Sequence, residues 1–306
     1  MGGWRRALQV GVSVAAVYLM LRLVDMGEAA RILAAARVDL VIAAIALYVA
    51  GQMMSAYRWR LIGRSVGLRD SFRHYVRFYF IGMFFMFFGP STLGGDLVRG
   101  LYLAEGTGRR ARAFNSVLFD RANGLVTLIA IGAVAFLAFP YGLPRPLLYA
   151  TVGAGAVLVL GWWLAPRLAA LVLAPAHPLR RFVEHDLGPF WRDPGMLVAV
   201  SAVSVVFHLV QIGTQLVVAR ALGLDVPFTY ICVFHPLVSA LSAIPITLSG
   251  IGLREGGYLY FLVHLGLDRE RALAFGLLWL LVIIANSLIG GVVFLASGAR
   301  LPALRG

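Results

Sequence analysis

Apolar residues run along this chain in stretches long enough to cross a bilayer, separated by shorter segments rich in arginine. A helix rises about 1.5 Å per residue, so about 20 apolar residues cross the hydrocarbon core. The pattern predicts an all-α polytopic membrane protein in which residues 1–306 form a single integral membrane domain. The apolar runs cover residues 7–24, 38–57, 75–89, 113–139, 146–165, 196–219, 227–244 and 272–297.

The run that ends at Gly89 is interrupted by residues 89–99, GPSTLGGDLVR, which hold a proline, paired glycines and two opposite charges. Counted from Phe78, twelve residues precede Pro90. They extend about 18 Å as a helix, against a hydrocarbon core of roughly 30 Å. Non-helical backbone at that depth is tolerated only inside protein or along a polar cavity. We therefore expect residues 75–110 to form a re-entrant helical hairpin.

A second interrupted segment, residues 244–254, IPITLSGIGLR, repeats the first at an offset of 155 residues. The same offset relates the other spans, so we predict two structural repeats, at about 38–139 and 193–297, joined by an amphipathic cytoplasmic elbow at about 166–194. The identical pairs are Pro90 and Pro245, Thr92 and Thr247, Leu93 and Leu248, Gly95 and Gly250, and Arg99 and Arg254.

With 227–270 also re-entrant, the chain has about six full spans and two hairpins, and its second half is inverted. Inverted repeats with broken helices are typical of transporters whose site lies near the bilayer midplane, so we expect a polar cavity between the two hairpin tips. The alternative is a bundle of kinked helices in which proline and glycine serve packing alone.

Charge supports this topology. Most of the 27 basic residues fall on the cytoplasmic side when both termini are cytoplasmic, as the positive-inside rule requires. A first hairpin that crossed fully would weaken the bias. The net charge of +13 does not indicate a nucleic-acid partner, because the arginines cluster in loops between spans. We expect a multi-pass protein of the bacterial inner membrane.

Each interrupted segment is followed by a new helix. Free N–H groups at a helix start attract anions, and Arg99 or Arg254 lies about one turn further on. Arginine grips phosphate oxygens with a bidentate fork, so the predicted ligand is an anionic lipid head group. The alternatives are an interfacial Arg99 that only sets orientation and an Arg254 neutralised by Glu255. The candidate N-caps are Thr92 or Asp96, and Thr247 or Ser249.

The sequence FDRANG places Asp120 and Arg121 inside an apolar run. Charges in a span are costly and face a partner, a cavity or an ion path. We expect Asp120 to pair with Arg99 and Arg121 to face the head group; a membrane-interface position is the alternative. The equivalent positions in the second repeat are Phe275 and Gly276, which makes the site asymmetric.

The motifs of common catalytic and cofactor sites do not occur. The chain has no phosphate-binding loop, no HExxH and no GxSxG, its six histidines lack metal-ligand spacing, and Cys232 is its single cysteine. We therefore predict no enzymatic activity, no cofactor and no metal. If transport is driven by protons, the candidate protonatable groups are Asp96, Asp120 and Glu255.

The pattern P-x-T-L-G-G-D-x-x-R followed by F-D-R in the first half, with P-x-T-L-S-G-x-G-x-R-E in the second, resembles the lysylphosphatidylglycerol synthase transmembrane region, a flippase-like family. The resemblance covers nearly the whole chain. It implies lipid translocation without lysine transfer, since we expect no separate soluble domain. The site residues that it implies are Pro90, Thr92, Gly94, Gly95, Asp96, Arg99, Asp120, Arg121, Pro245, Thr247, Ser249, Gly250, Gly252, Arg254 and Glu255.

We therefore predict a lipid flippase or lipid transporter that moves an anionic or lipid-linked head group between the leaflets of the inner membrane. Its expected partner is that lipid, with a lipid-biosynthesis enzyme as a further candidate. The alternative is a non-catalytic membrane protein that binds or presents lipid to a lipid-modifying or glycosylating enzyme.

Overall fold

A computed structural model describes residues 11, 18, 22, 24–89, 94–105, 109–244, 247 and 250–298. Every regular element in these ranges is helical, which confirms the predicted all-α fold. The helices are α1 Met26–Ala34, α2 Val38–Ser65, α3 Phe72–Phe88, α4 Gly94–Ala104, α5 Arg110–Ala138, α6 Arg145–Val172, α7 Pro178–Arg181, a π-helical turn Phe182–Leu187, α8 Gly188–Trp191, α9 Pro194–Ala221, α10 Phe228–Ala243, α11 Leu253–His264 and α12 Arg269–Ala296.

Five of the described helices, α2, α5, α6, α9 and α12, are long and apolar enough to cross a membrane. At 28 or 29 residues each they extend about 42 Å, more than the hydrocarbon core. They correspond to five of the predicted spans, whereas most of the predicted first span, 7–24, lies outside the described residues. The chain is therefore a multi-pass membrane protein.

Helices of similar length recur in the same order. The series α2 to α5 has 28, 17, 11 and 29 residues, and the series α9 to α12 has 28, 16, 12 and 28. Between the two series lie α6 and the short elements α7, the π-helical turn and α8. The inversion of one series and a membrane-surface position for the short elements stay predictions.

Helices α3 and α4 form an antiparallel hairpin. Its contacts move back along α3 as they move forward along α4: a Cβ on Gly94 would lie 3.3 Å from the carbonyl oxygen of Phe85, and the rings of Phe78 and Tyr102 stack at 5.2 Å. Ser71 caps the start of α3 with its hydroxyl, and the helix ends before Gly89, which is extended. Pro90 and Thr92 lie outside the described residues.

Helices α10 and α11 form a second antiparallel hairpin. Val238 packs against Gly257, and further along the hairpin the Tyr230 hydroxyl donates to the carbonyl of Phe261 at 2.6 Å. The ring of Phe234 contacts both Phe261 and Tyr258. Each interrupted segment therefore lies between two antiparallel helices. Pro245 and Ser249 lie outside the described residues.

The described residues group into two compact units, each drawn from three parts of the chain. The α10–α11 unit comprises those within 1–48, 131–151 and 209–285, and the α3–α4 unit those within 49–130, 152–208 and 286–306. The five long helices contribute residues to both units.

Aromatic side chains dominate the interior of the α3–α4 unit. Trp59 meets Tyr75 edge to face at 4.8 Å, and both are fully buried. A second cluster stacks Phe119 on Phe190 at 4.5 Å and brings Trp162 against Phe119. These packed rings surround the segments of α2, α4 and α5 that carry the buried charges described next.

Candidate functional site

A chain of alternating charges lies inside the α3–α4 unit, and we call its five residues the charge ladder. Arg58 of α2 donates from Nε to Asp120 Oδ1 of α5 at 2.8 Å, and Arg99 of α4 donates from Nη1 to Asp120 Oδ2 at 3.1 Å. Arg99 Nε lies 3.1 Å from Asp96 Oδ1 on the same helix. Arg121 Nε reaches both Asp96 oxygens at 3.0 Å.

The ladder runs from the interior to the surface. The side chains of Arg58, Asp120 and Arg99 are 4%, 1% and 3% exposed, whereas Asp96 is 19% and Arg121 46% exposed. Ionised groups so deeply buried need both counter-charges and hydrogen bonds, because desolvation costs several kcal/mol per ion. The ladder supplies a counter-charge to each inner member and hydrogen bonds to all three, leaves two N–H groups of Arg99 without an acceptor, and leaves one guanidinium accessible at its outer end.

Glycines in the hairpin allow α4 to approach α3 closely enough to place Arg99. A Cβ on Gly95 would collide with the carbonyl oxygen of Gly82, and one on Gly82 would lie 2.9 Å from the carbonyl oxygen of Gly95. The guanidinium of Arg99 then lies 5.1 Å from the ring centroids of both Trp59 and Tyr79. Cation–π contacts of this kind are strongest where the cation is desolvated, as here.

Arg58 is held by a polar network that joins α2, α5 and α9. Its Nη1 donates to Ser204 Oγ at 2.9 Å, and Ser204 in turn donates to Asn123 Oδ1 at 2.5 Å. Its Nη2 donates to Ser55 Oγ at 3.3 Å, and Ser55 also hydrogen-bonds the hydroxyl of Tyr79 at 2.8 Å. Asp120 therefore lies between two arginines whose positions are held by further contacts, Arg58 by serine hydroxyls and Arg99 by the rings of Trp59 and Tyr79.

Sequence reasoning missed Arg58, which it grouped with the loop arginines after the span 38–57. The available signal was Ser55, which lies three residues earlier and so on the same helix face, inside that span. A polar stripe that continues from a span into its flanking arginine indicates a side chain facing the interior.

Three expectations for the first hairpin are decided. The pairing of Asp120 with Arg99 is confirmed, and the alternative of an interfacial Arg99 is wrong because its side chain is buried. The depth of Asp120 in the membrane stays a prediction. Asp96 is not an N-cap: α4 begins at Gly94, so Asp96 lies in the first turn, where its carboxylate meets Arg99 and Arg121.

The second hairpin handles its helix start differently. Helix α11 begins at Leu253, so Gly252 and not Thr247 occupies its N-cap position. The φ of Gly252 is 90°, a conformation that favours glycine. Glu255, 4% exposed, accepts from Gly252 N at 2.7 Å through Oε2. The chain's own carboxylate therefore occupies part of the N-terminal position where an external anion was expected. Arg254 lies beside Gly250.

The structure divides the site residues predicted from sequence between the two units. The second repeat has no equivalent of the charge ladder in its sequence. At the offset of 155 residues, the counterparts of Arg58, Asp120 and Arg121 are the uncharged residues Gly213, Phe275 and Gly276. The α3–α4 unit holds Gly94, Gly95, Asp96, Arg99, Asp120 and Arg121, and the α10–α11 unit holds Thr247, Gly250, Gly252, Arg254 and Glu255.

The ladder is suited to binding an anion. Its carboxylates are already engaged by arginine, and no group of three or more His, Cys, Asp or Glu side chains in the described part of the chain is placed to hold a metal ion. Its accessible element is a guanidinium, whose fork matches phosphate and carboxylate oxygens.

Comparison with known families gives one match. The family described as Lysylphosphatidylglycerol synthase TM region matches residues 6–291, which is nearly the whole chain. Comparison with curated proteins gives no match.

Proposed function

We propose a function for this protein from its family, since the chain belongs to the lysylphosphatidylglycerol synthase TM region family. It acts as a flippase-type transporter, which moves a lipid with an anionic head group between the two leaflets. Membership assigns the protein a function related to membrane lipid. Transport itself, a bacterial inner-membrane location with cytoplasmic termini, and the lack of a chemical step are parts of the proposal.

The observation that carries the proposal is the charge ladder. Charged side chains within membrane helices are rare and mark pathways for substrates or ions, because apolar surroundings penalise them. A stabilising role alone does not account for Arg121, whose side chain is 46% exposed at the outer end. An anionic head group can meet that guanidinium while its acyl chains stay among the apolar helices.

The ladder also supplies a way to hold and release the head group. Asp96 on α4 links to Arg121 on α5 through both carboxylate oxygens. A phosphate that approaches Arg121 competes with this carboxylate for the same guanidinium. Binding of the head group therefore weakens the contact between the α3–α4 hairpin and α5. A transporter needs a contact of this kind, which changes when the substrate binds.

Leaflet exchange in proteoliposomes tests the proposal. The purified protein is reconstituted with fluorescent phosphatidylglycerol, and a membrane-impermeant quencher reports the outer-leaflet fraction with time. We expect the wild type to accelerate exchange and Arg121→Gln to lose the acceleration. Arg112→Gln is the matched control, because Arg112 is an exposed arginine on the same helix outside the ladder, and it should retain wild-type exchange.

Other results would overturn the proposal. Head-group binding with no exchange in any condition would favour a protein that binds or presents lipid to an enzyme. Chemical conversion of the labelled lipid, seen by mass spectrometry, would favour an enzyme. Equal exchange by wild type and Arg121→Gln would remove the ladder from the mechanism.

A further inference from the structure

We infer that the charge ladder selects a head group that carries a single negative charge, a phosphodiester, over diphosphate-linked head groups and over head groups of zero or positive net charge. This inference rests on the proposed function and specifies the substrate class of the same site.

The first step is a count of charges. The ladder contains three arginines and two aspartates, so one positive charge has no counter-charge. No other charged side chain among the described residues forms an ion pair with any of the five. Arg77 of α3 lies nine residues before Met86, which Arg121 contacts, and therefore about 13 Å away along the helix. It faces the carbonyl of Ser297 instead.

The second step is the location of unused hydrogen-bonding capacity. Two N–H groups of Arg99, at Nε and Nη2, are buried and have no hydrogen-bond acceptor among the described residues, although Nε lies 3.1 Å from Asp96 Oδ1 as an ion pair. The neighbours of this guanidinium are the faces of Trp59 and Tyr79, which stabilise the cation but accept no conventional hydrogen bond. The ladder therefore has unused hydrogen-bond donors as well as one positive charge without a counter-charge.

The third step is the cost of a mismatch between the net charge of the ladder and the charge of the head group. Coulomb interactions strengthen as the effective dielectric constant falls, so a group of charges buried among apolar helices is most stable when it is neutral. One phosphodiester brings the ladder to neutrality. A diphosphate leaves an excess of negative charge, a zwitterionic head group leaves the original excess of positive charge, and a cationic head group increases it.

The inference is tested by changing the charge of the ladder without changing its shape. Asp96→Asn is nearly isosteric and raises the excess positive charge from one to two. We expect wild type to bind short-chain phosphatidylglycerol about tenfold more tightly than farnesyl diphosphate or short-chain phosphatidylethanolamine. We expect Asp96→Asn to move the preference toward the diphosphate by about tenfold. Affinities are measured calorimetrically on the detergent-solubilised protein.

Two further variants complete the test. Asp70→Asn removes a carboxylate outside the ladder, where Asp70 pairs with His74, and should keep the wild-type preference. Arg121→Gln makes the ladder neutral and should bind phosphatidylglycerol and phosphatidylethanolamine equally, which tests the count even if Asp96→Asn does not fold.

The inference fails if wild type binds the diphosphate as tightly as phosphatidylglycerol, or if Asp96→Asn and Arg121→Gln leave the preferences unchanged. These outcomes are separable from failure of the proposed transport. Preference without leaflet exchange contradicts transport alone, and exchange without preference contradicts the charge count alone.

Discussion

Replacement of Asp120 by asparagine tests whether the ladder holds the membrane helices together. The carboxylate of Asp120 is 1% exposed and serves Arg58 and Arg99 at once, through its two oxygens. Asparagine keeps the volume and one acceptor oxygen but removes the charge. Both inner arginines then stay buried with no full counter-charge at their shared partner.

The expected magnitude follows from the burial of the three groups. Removal of one partner from a buried ion pair costs about 3–5 kcal/mol, because the remaining ion is left desolvated and unpaired. Two arginines lose the charge of the same carboxylate here, so we expect the upper part of this range. At about 2 °C per kcal/mol for a chain of this length, the melting temperature should fall by about 8–10 °C.

The assay is thermal unfolding of the purified protein in detergent, followed by intrinsic tryptophan fluorescence. Asp70→Asn is the control, since its carboxylate pairs with His74 at a partly exposed position where an ion pair contributes about 1 kcal/mol or less. The double variant Arg58→Leu with Asp120→Asn should recover part of the loss, because it removes one of the two uncompensated ions. A melting temperature for Asp120→Asn within about 1 °C of wild type would refute the reasoning.

Three other changes test the packing around the hairpins and the elbow. Gly95→Ala should lower the melting temperature by several degrees, because the added methyl group collides with the carbonyl oxygen of Gly82. Gly153→Ala is its control and should change the melting temperature little, because the added methyl group meets nothing within 4 Å. Gly252→Ala should cost about 1–2 kcal/mol in the same assay, since an alanine at φ 90° is strained. Trp191→Phe should cost about 1 kcal/mol through loss of its 2.8 Å hydrogen bond to a backbone carbonyl of α6, and an unchanged melting temperature would contradict that bond's role.

The sequence predicted the long helices and the two hairpins because both depend on local patterns. Apolar length determines which segments can span, and a proline followed closely by glycines favours the end of one helix and the start of another. The pairing of Asp120 with Arg99 was also accessible, because a buried charge requires a partner and Arg99 lies in the interrupted segment of the same repeat.

The remaining features depend on tertiary contacts. Asp96 satisfies the sequence rules for an N-cap, but the arginines of α4 and α5 compete for its carboxylate and α4 begins two residues earlier. Arg58 appears in sequence as one of several arginines after a span, and only its packing against Asp120 and Ser204 shows that it faces inward. Neither outcome follows from spacing along the chain.

The confinement of the ladder to one repeat bears on how this chain evolved. The two repeats share the arginine of the hairpin, Arg99 and Arg254, but the positions equivalent to the other four ladder residues hold uncharged Gly213, Ile251, Phe275 and Gly276. The two repeats are therefore electrostatically unequal, although they share the same order of helices. In homologues, an exchange at position 58 or 120 is expected to be matched by a compensating exchange at the other, whereas position 275 is expected to stay large and apolar, because Phe275 is fully buried.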